Sequence, residues 1–428
     1  MKKILFIILV LSVAISTVLP INSQPLNIPA RAYILMDFKT GQVLYEYNSK
    51  TPLHPASTTK IMTGILAIEY GDLDSMVTVS QSAIDNIGAG GMHIGLIAGE
   101  RLKLIHILNA LLIRSANETA YVIAENISSS HEEFFDLMNK RAKELGAECT
   151  NFVNPSGMDN TADGHLHVSS AYDLALMARH AMTLPEFREI VKKTYYRIPP
   201  TNKHDEEIFL NTSNKLLFSK SEYYTEVTGI KTGYTDRALA NLVSSARDES
   251  GMELIAAVMG VERYNDVFTY SQELLEYGFK NFSLRHVLAK NSYAETVHVS
   301  NASGNSNLDL LVAEDFECVL PKGTSINELT FEKNINENIT APVYKGDVLG
   351  SIEIKNGQKS LGKVDLIATR TVEEKIPEKP VEKKPGTSTK KSLLKRILNG
   401  TIFFLIAFIL LRITLKKISR SIIAKNKF

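Results

Sequence analysis

An α+β body, followed by a small all-β domain and a C-terminal apolar helix, is the organisation predicted for this 428-residue chain. Three observations predict it. Helical and strand-like periods mix as far as residue 282, short β-rich runs take over from Ser283, and one long apolar stretch lies near the C-terminus.

In the first region, Tyr33-Ile34-Leu35-Met36 and Val43-Leu44-Tyr45 flank a turn at Phe38-Lys39-Thr40-Gly41 and read as a hairpin. Residues 61–70, 105–113, 171–181 and 270–277 carry apolar side chains at helical spacing, whereas 227–230 and 254–259 read as buried strands. Helices packed against a largely antiparallel sheet is the economical arrangement, and residues 28–282 are assigned to it. Residues 283–372 contain Glu295-Thr296-Val297-His298-Val299, Phe316-Glu317-Cys318-Val319-Leu320 and Gly350-Ser351-Ile352-Glu353-Ile354, separated by Gly, Asn and Pro, and read as a β-rich domain.

Both ends point to a membrane. Lys2 and Lys3 precede a run, residues 4–19, that is apolar except for Ser12, Ser16 and Thr17, so 1–23 is assigned as a signal peptide, with an uncleaved anchor as the alternative. Residues 397–415 hold one charge, Arg412, and at about 1.5 Å per residue they span roughly 28 Å, close to a bilayer core. Residues 393–416 are therefore expected to be a membrane-anchoring helix, and the basic segment 417–428 a cytoplasmic tail. The alternative is an amphipathic helix lying on the membrane surface. Residues 373–392, rich in Lys, Glu and Pro, form a linker. The body is then exported and held at the extracytoplasmic face.

Composition excludes several classes. A chain with 44% hydrophobic and 22% charged residues is not disordered as a whole. A net charge of +1, from 48 Lys and Arg against 47 Asp and Glu, leaves no footprint for nucleic acid. Cys149 and Cys318 are too few for a disulfide framework or a cysteine-rich metal site and are expected to be free thiols.

The chemistry is concentrated in three short strings. Ser57-Thr58-Thr59-Lys60 opens a helix, which puts an amine one turn from a hydroxyl on the same face. Serine is a weak nucleophile that needs such a base, and a helix start offers N–H groups to an oxyanion. Alone the string also fits a capping serine followed by a solvated lysine, and it recurs at Ser388 and Ser392, outside any foldable pocket. Ser115-Ala116-Asn117 ends the apolar helix 105–113, and Lys231-Thr232-Gly233 follows the strand 227–230. Ser303-Gly304-Asn305, Ser325-Ile326-Asn327 and Lys39-Thr40-Gly41 match the same short patterns by chance, so the weight rests on the ordered set.

That set is the signature of penicillin-binding proteins and class A β-lactamases. With residues 53–64 (LHPASTTKIMTG), 111–120 (LLIRSANETA) and 229–235 (GIKTGYT), the chain resembles the serine D-alanyl-D-alanine carboxypeptidases, the low-molecular-mass penicillin-binding proteins. Residues 138–146 (MNKRAKELG), 150–159 (TNFVNPSGMD), 167–174 (HVSSAYDL) and 209–217 (FLNTSNKLL) extend the likeness in the expected order. It covers roughly residues 30–282, and more loosely the β domain and anchor.

The resemblance implies a penicillin-binding/β-lactamase-like catalytic domain that removes the terminal D-alanine from peptidoglycan stem pentapeptides. It also implies covalent inhibition by β-lactams and requires no cofactor or metal. Ser57 would attack the carbonyl between the two D-alanines, Lys60 would take its proton, and Ser115 would relay a proton to the leaving amine. Asn117 would hold the substrate amide, Lys231 and Thr232 would receive the terminal carboxylate, and Gly233 would leave room for the extended substrate. The Ser57 and Tyr234 N–H groups would form the oxyanion hole. Charge repulsion from Lys231 is one expected means of keeping Lys60 neutral.

Two departures stand out. Leu239 occupies a place where the family has glycine, and the basic residue common near the start of the next helix is replaced by Val267, leaving Arg263 one turn earlier as a substitute. A β-lactamase is the enzymatic alternative, because Glu207-Ile208-Phe209-Leu210-Asn211 fits the string that supplies a deacylating Glu, although it overlaps FLNTSNKLL. A catalytically silent cell-wall binding protein is the other. His165 and His167 form an i, i+2 pair without a third ligand nearby, and read as loop residues rather than a metal site.

Overall fold

The computed structural model describes residues 26–159, 166–376 and 389–425. The expected signal peptide, His165, most of the linker and the last three residues lie outside these.

The chain begins with the expected hairpin, β1 (Ala32–Asp37) and β2 (Val43–Tyr47), with Leu35 opposite Tyr45. A 3-10 turn (Ala56–Thr59) leads into α1 (Lys60–Tyr70). The small pair β3 (Met76–Thr78) and β4 (Arg101–Lys103) brackets α2 (Gln81–Asp85). There follow α3 (Leu104–Asn109), α4 (Asn117–Ile127), α5 (His131–Glu144), α6 (Ala171–Ala181) and α7 (Pro185–Val191). A second small pair, β5 (Tyr195–Ile198) and β6 (Ile208–Asn211), precedes three long strands, β7 (Glu226–Thr235), β8 (Leu239–Arg247) and β9 (Glu253–Val261), and then α8 (Asp266–Asn281).

The main sheet has the order β2-β1-β9-β8-β7 with every pairing antiparallel. Side chains alternate across a strand, so β1 sends Ile34 and Met36 into a core shared with α1 and α6, and Tyr33 and Leu35 into a second core against α8. Cover on both faces explains why β9 reads as a continuous apolar run: all nine of its residues are buried.

Two expected elements end differently. The helix predicted over 105–113 gives way after Asn109 to a π-helical turn, Ala110–Arg114, and Ser115 closes it with φ 67°. The wider turn and the left-handed residue reverse the chain in time for α4 to start at Asn117. The strand predicted over 227–230 continues to Thr235, because β7 keeps its pairing with β8 through Lys231-Thr232-Gly233.

Beyond α8, β10 (Phe282–Leu288), β11 (Tyr293–His298), β12 (Asn307–Val312), β13 (Phe316–Pro321), β14 (Thr330–Ile335), β15 (Val348–Asn356) and β16 (Lys359–Ala368) supply the β-rich segment. β10 pairs with β13, while β14, β15 and β16 run as an antiparallel meander. Contacts divide the chain into two compact units, the first comprising Met1–Val297, Asp309–Glu337 and Lys345–Thr369. The second comprises His298–Leu308, Asn338–Tyr344 and Arg370–Phe428. It is tied by bridges of Ser300 to Thr340 and Val343 to Val372, and it carries α9 (Thr389–Lys425). Within α9, Leu398–Lys417 is long and apolar enough to cross a membrane by length and composition. Cys149 and Cys318 are free thiols.

Candidate active site

The three strings converge. Ser57, Ser115, Asn117, Thr232, Gly233 and Tyr234 border one cleft of about 320 Å³, with Lys60 and Lys231 buried rather than among the residues that border it.

Ser57 lies in the 3-10 turn that precedes α1, not in the α-helix itself, and Lys60 is the first residue of α1. The turn is fixed by Thr58, whose N–H and Oγ1 both donate to the Pro55 carbonyl, at 3.3 and 2.7 Å. Ala56 adopts φ 48°, and a Cβ on Gly157 would run into its carbonyl, so the loop 154–157 presses directly behind the turn. Within that loop, Asn154 Oδ1 accepts from the N–H groups of Ser156 and Gly157.

Lys60 Nζ is 2.9 Å from Ser57 Oγ, 2.7 Å from Asn117 Oδ1 and 2.6 Å from the Ser156 carbonyl. The last two partners only accept. A neutral amine therefore donates its two hydrogens to them and turns its lone pair to the Ser57 hydroxyl, which donates to it. Burial holds the Lys60 pKa well below the ordinary lysine value, the charge of Lys231 lowers it further, and Glu118 acts in the opposite direction. Dehydration thus outranks the repulsion expected from sequence. Burial alone brings Lys231 down to about 7, and its Nζ donates to the Thr232 carbonyl at 3.0 Å.

Asn117 is committed at both ends, Oδ1 to Lys60 and one hydrogen of Nδ2 to the Ile87 carbonyl at 2.8 Å, and its backbone N–H donates to the Met92 carbonyl. Its second amide hydrogen is what it can offer a substrate. Next to it, buried Glu118 accepts from the Ile94 N–H, which fastens the 87–95 rim to the start of α4, and burial raises its pKa.

The missing side chain of Gly233 answers a different need from the one expected. A Cβ there would lie 2.9 Å from the Pro55 carbonyl and 3.1 Å from the Ser57 nitrogen, so the space it leaves is filled by the turn that carries the nucleophile. Opposite Gly233 on β8, Asn241 Nδ2 donates to the His54 and Pro55 carbonyls at 2.9 and 3.0 Å, and its Oδ1 accepts from Gly260 N–H. Ser213 Oγ lies 2.7 Å from Thr232 Oγ1, and the Tyr264 ring meets Tyr234 edge to face at 5.9 Å.

Sequence reasoning missed Ser156, Asn241, Ser213, Tyr264 and Arg114. The strings TNFVNPSGMD and FLNTSNKLL flagged two of these neighbourhoods without assigning a role. Leu239 takes φ 60° at the β7–β8 turn, so a glycine would relieve backbone conformation there rather than close packing. Arg263 is exposed, pairs with Asp266 at 2.9 Å and borders a separate cleft with Leu239 and Gly260. Glu207 is paired with Arg197 at 3.7 Å on the β5–β6 hairpin and does not border the Ser57 cleft. Fully buried His167 has both nitrogens engaged: Nδ1 accepts from Val153 N–H at 3.1 Å and Nε2 meets Thr59 Oγ1 at 2.8 Å. Burial lowers its pKa to about 3, and its fixed role is to brace the turn. Among the described residues no cluster of metal-ligating side chains forms.

The model of the D-alanyl-D-alanine carboxypeptidase family matches residues 20–263, and that of the penicillin-binding protein 5 C-terminal domain matches 282–374. The chain is 33% identical over 345 residues to the D-alanyl-D-alanine carboxypeptidase DacF of Bacillus subtilis, covering 79% of this chain and 85% of the relative. It is 32% identical over 360 residues to DacC of Escherichia coli, covering 81% and 85%. Penicillin-binding protein 5 from Haemophilus influenzae superimposes with a TM-score of 0.70 at 28% identity, covering 82% of this chain and 99% of that one.

Proposed function

Because the chain belongs to the D-alanyl-D-alanine carboxypeptidase family, we propose that it is a serine peptidase that removes the terminal D-alanine from peptidoglycan stem peptides. The observation that carries this reading is the Lys60 amine, 2.9 Å from Ser57 Oγ with its other bonds spent on acceptors.

Ser57 Oγ attacks the carbonyl carbon between the two D-alanines as its proton passes to Lys60 Nζ. The Ser57 and Tyr234 N–H groups receive the oxyanion. The C–N bond breaks, a proton returns by way of Ser115 to the leaving amine, and D-alanine departs. Water then adds to the Ser57 ester, whose C–O bond breaks to restore the hydroxyl and release the shortened peptide. Thr232 and Lys231 receive the carboxylate of the departing residue, and Asn117 offers its remaining amide hydrogen to the acyl side. β-Lactams acylate the same serine.

In this reading residues 28–282 are the catalytic domain and 283–372 the β-rich domain that follows it in the chain. Leu398–Lys417 anchors the exported body at the outer face of the cell membrane, and its length and composition support this. The deacylating carboxylate that a class A β-lactamase needs has no counterpart at Glu207, which is tied to Arg197 on its hairpin. Incubation of the purified protein with a stem pentapeptide tests the reading. Release of D-alanine is expected, and binding without release would make the chain a cell-wall binding protein instead.

A further inference from the structure

We infer that Arg114 anchors the C-terminal carboxylate of the substrate. This rests on the carboxypeptidase reading and adds to it a residue outside the three motifs.

Among the described residues that border the Ser57 cleft, Arg114 is the one charged side chain. Lys60 and Lys231 are buried, and Lys231 already donates to the Thr232 carbonyl. Arg114 is half-buried and shows no hydrogen bond or ion pair to any described residue, whereas Arg141, Arg179, Arg188 and Arg247 are all bound. A guanidinium held partly out of water without an acceptor is placed for an anion that arrives with the ligand.

The backbone fixes where it is held. Arg114 ends the π-helical turn, and the left-handed Ser115 beside it sets the direction in which the chain leaves. Both border the cleft together with Thr232 and Tyr264. Arg263, the sequence-based candidate for this task, is spent on Asp266 and borders another cleft. The terminal carboxylate is the anion that every peptide of this class brings to the leaving-group side of the serine. Arg114 carries a charge that does not depend on pH in the working range.

The test compares diacetyl-L-Lys-D-Ala-D-Ala with the same peptide ending in a carboxamide, using the full-length protein in detergent and following release of D-alanine or D-alaninamide. Arg114→Gln should lose roughly 10- to 100-fold in kcat/KM on the acid and little on the amide, and Arg114→Lys should recover part of the loss. Equal losses on both peptides would reduce Arg114 to a structural role, and no loss on either would remove it from the site; both overturn the inference. A loss confined to peptides with an added acyl-side carboxylate would also overturn it, by moving the contact to the other end. If the wild-type protein released no D-alanine from the acid, the carboxypeptidase reading would fail, which is a separate outcome.

Discussion

Gly233 and Ser57 sit so close that a Cβ on the first would lie 3.1 Å from the backbone nitrogen of the second. The strand and the nucleophile turn are therefore in backbone contact, and the two N–H groups of the proposed oxyanion hole depend on that contact. Gly233→Ala should drive β7 away from the turn, slow acylation by penicillin at least 100-fold, and cost about 1–3 kcal/mol of stability by overpacking. Stopped-flow labelling together with thermal denaturation measures both.

Ser57→Ala removes one oxygen from a turn fixed by Thr58 and Pro55. D-alanine release and covalent labelling by fluorescent penicillin should vanish while the circular dichroism spectrum and Tm stay within error. A variant that still forms the adduct would place the nucleophile elsewhere.

The rate of acylation should rise with pH as Lys60 loses its proton, because only the neutral amine has a lone pair for the Ser57 hydroxyl. Glu118 raises the Lys60 pKa, so Glu118→Gln should shift the acid limb of the acylation profile to lower pH. Second-order acylation constants over a pH series decide this; a limb that moves upward would contradict the electrostatics.

Asn241→Ala should leave the His54 carbonyl and the Gly260 N–H without their side-chain partner, and the Pro55 carbonyl with Thr58 alone. The expected cost is about 1–3 kcal/mol in stability, with slower acylation, since the turn loses its tie to β8. Chemical denaturation would report the first and penicillin labelling the second.

Removal of residues 393–428 should move active protein from the membrane to the soluble fraction. Retention in the membrane would instead point to an uncleaved N-terminal segment, and fractionation followed by labelling separates the two.

The sequence carried the motif order, the presence of both buried strands and of the hairpin, and the bounds of α6, because these rest on periodicity and on side-chain chemistry. What it hid rests on the backbone. The Ser156 carbonyl that receives Lys60, and the Pro55 carbonyl that Gly233 and Asn241 approach, belong to residues whose identity says nothing about where their oxygens point. The left-handed turn at Ser115 was invisible because serine has no preference for it. Arg114 was hidden inside the LLIRSANETA string, where it looked like the polar end of an apolar helix. Arg263 was misleading because spacing alone does not reveal that Asp266 claims it.

Two lysines in the dry interior limit how robust this fold can be. A lysine whose pKa is depressed on folding weakens the native state below its ordinary pKa, and the penalty fades as the solution becomes more alkaline. Resistance to acid and reactivity of the serine therefore pull in opposite directions within one core. Any lineage that hardened this protein against low pH by hydrating Lys60 would slow its own chemistry, so stabilising changes are to be sought in the helices and the β segment, away from the cleft.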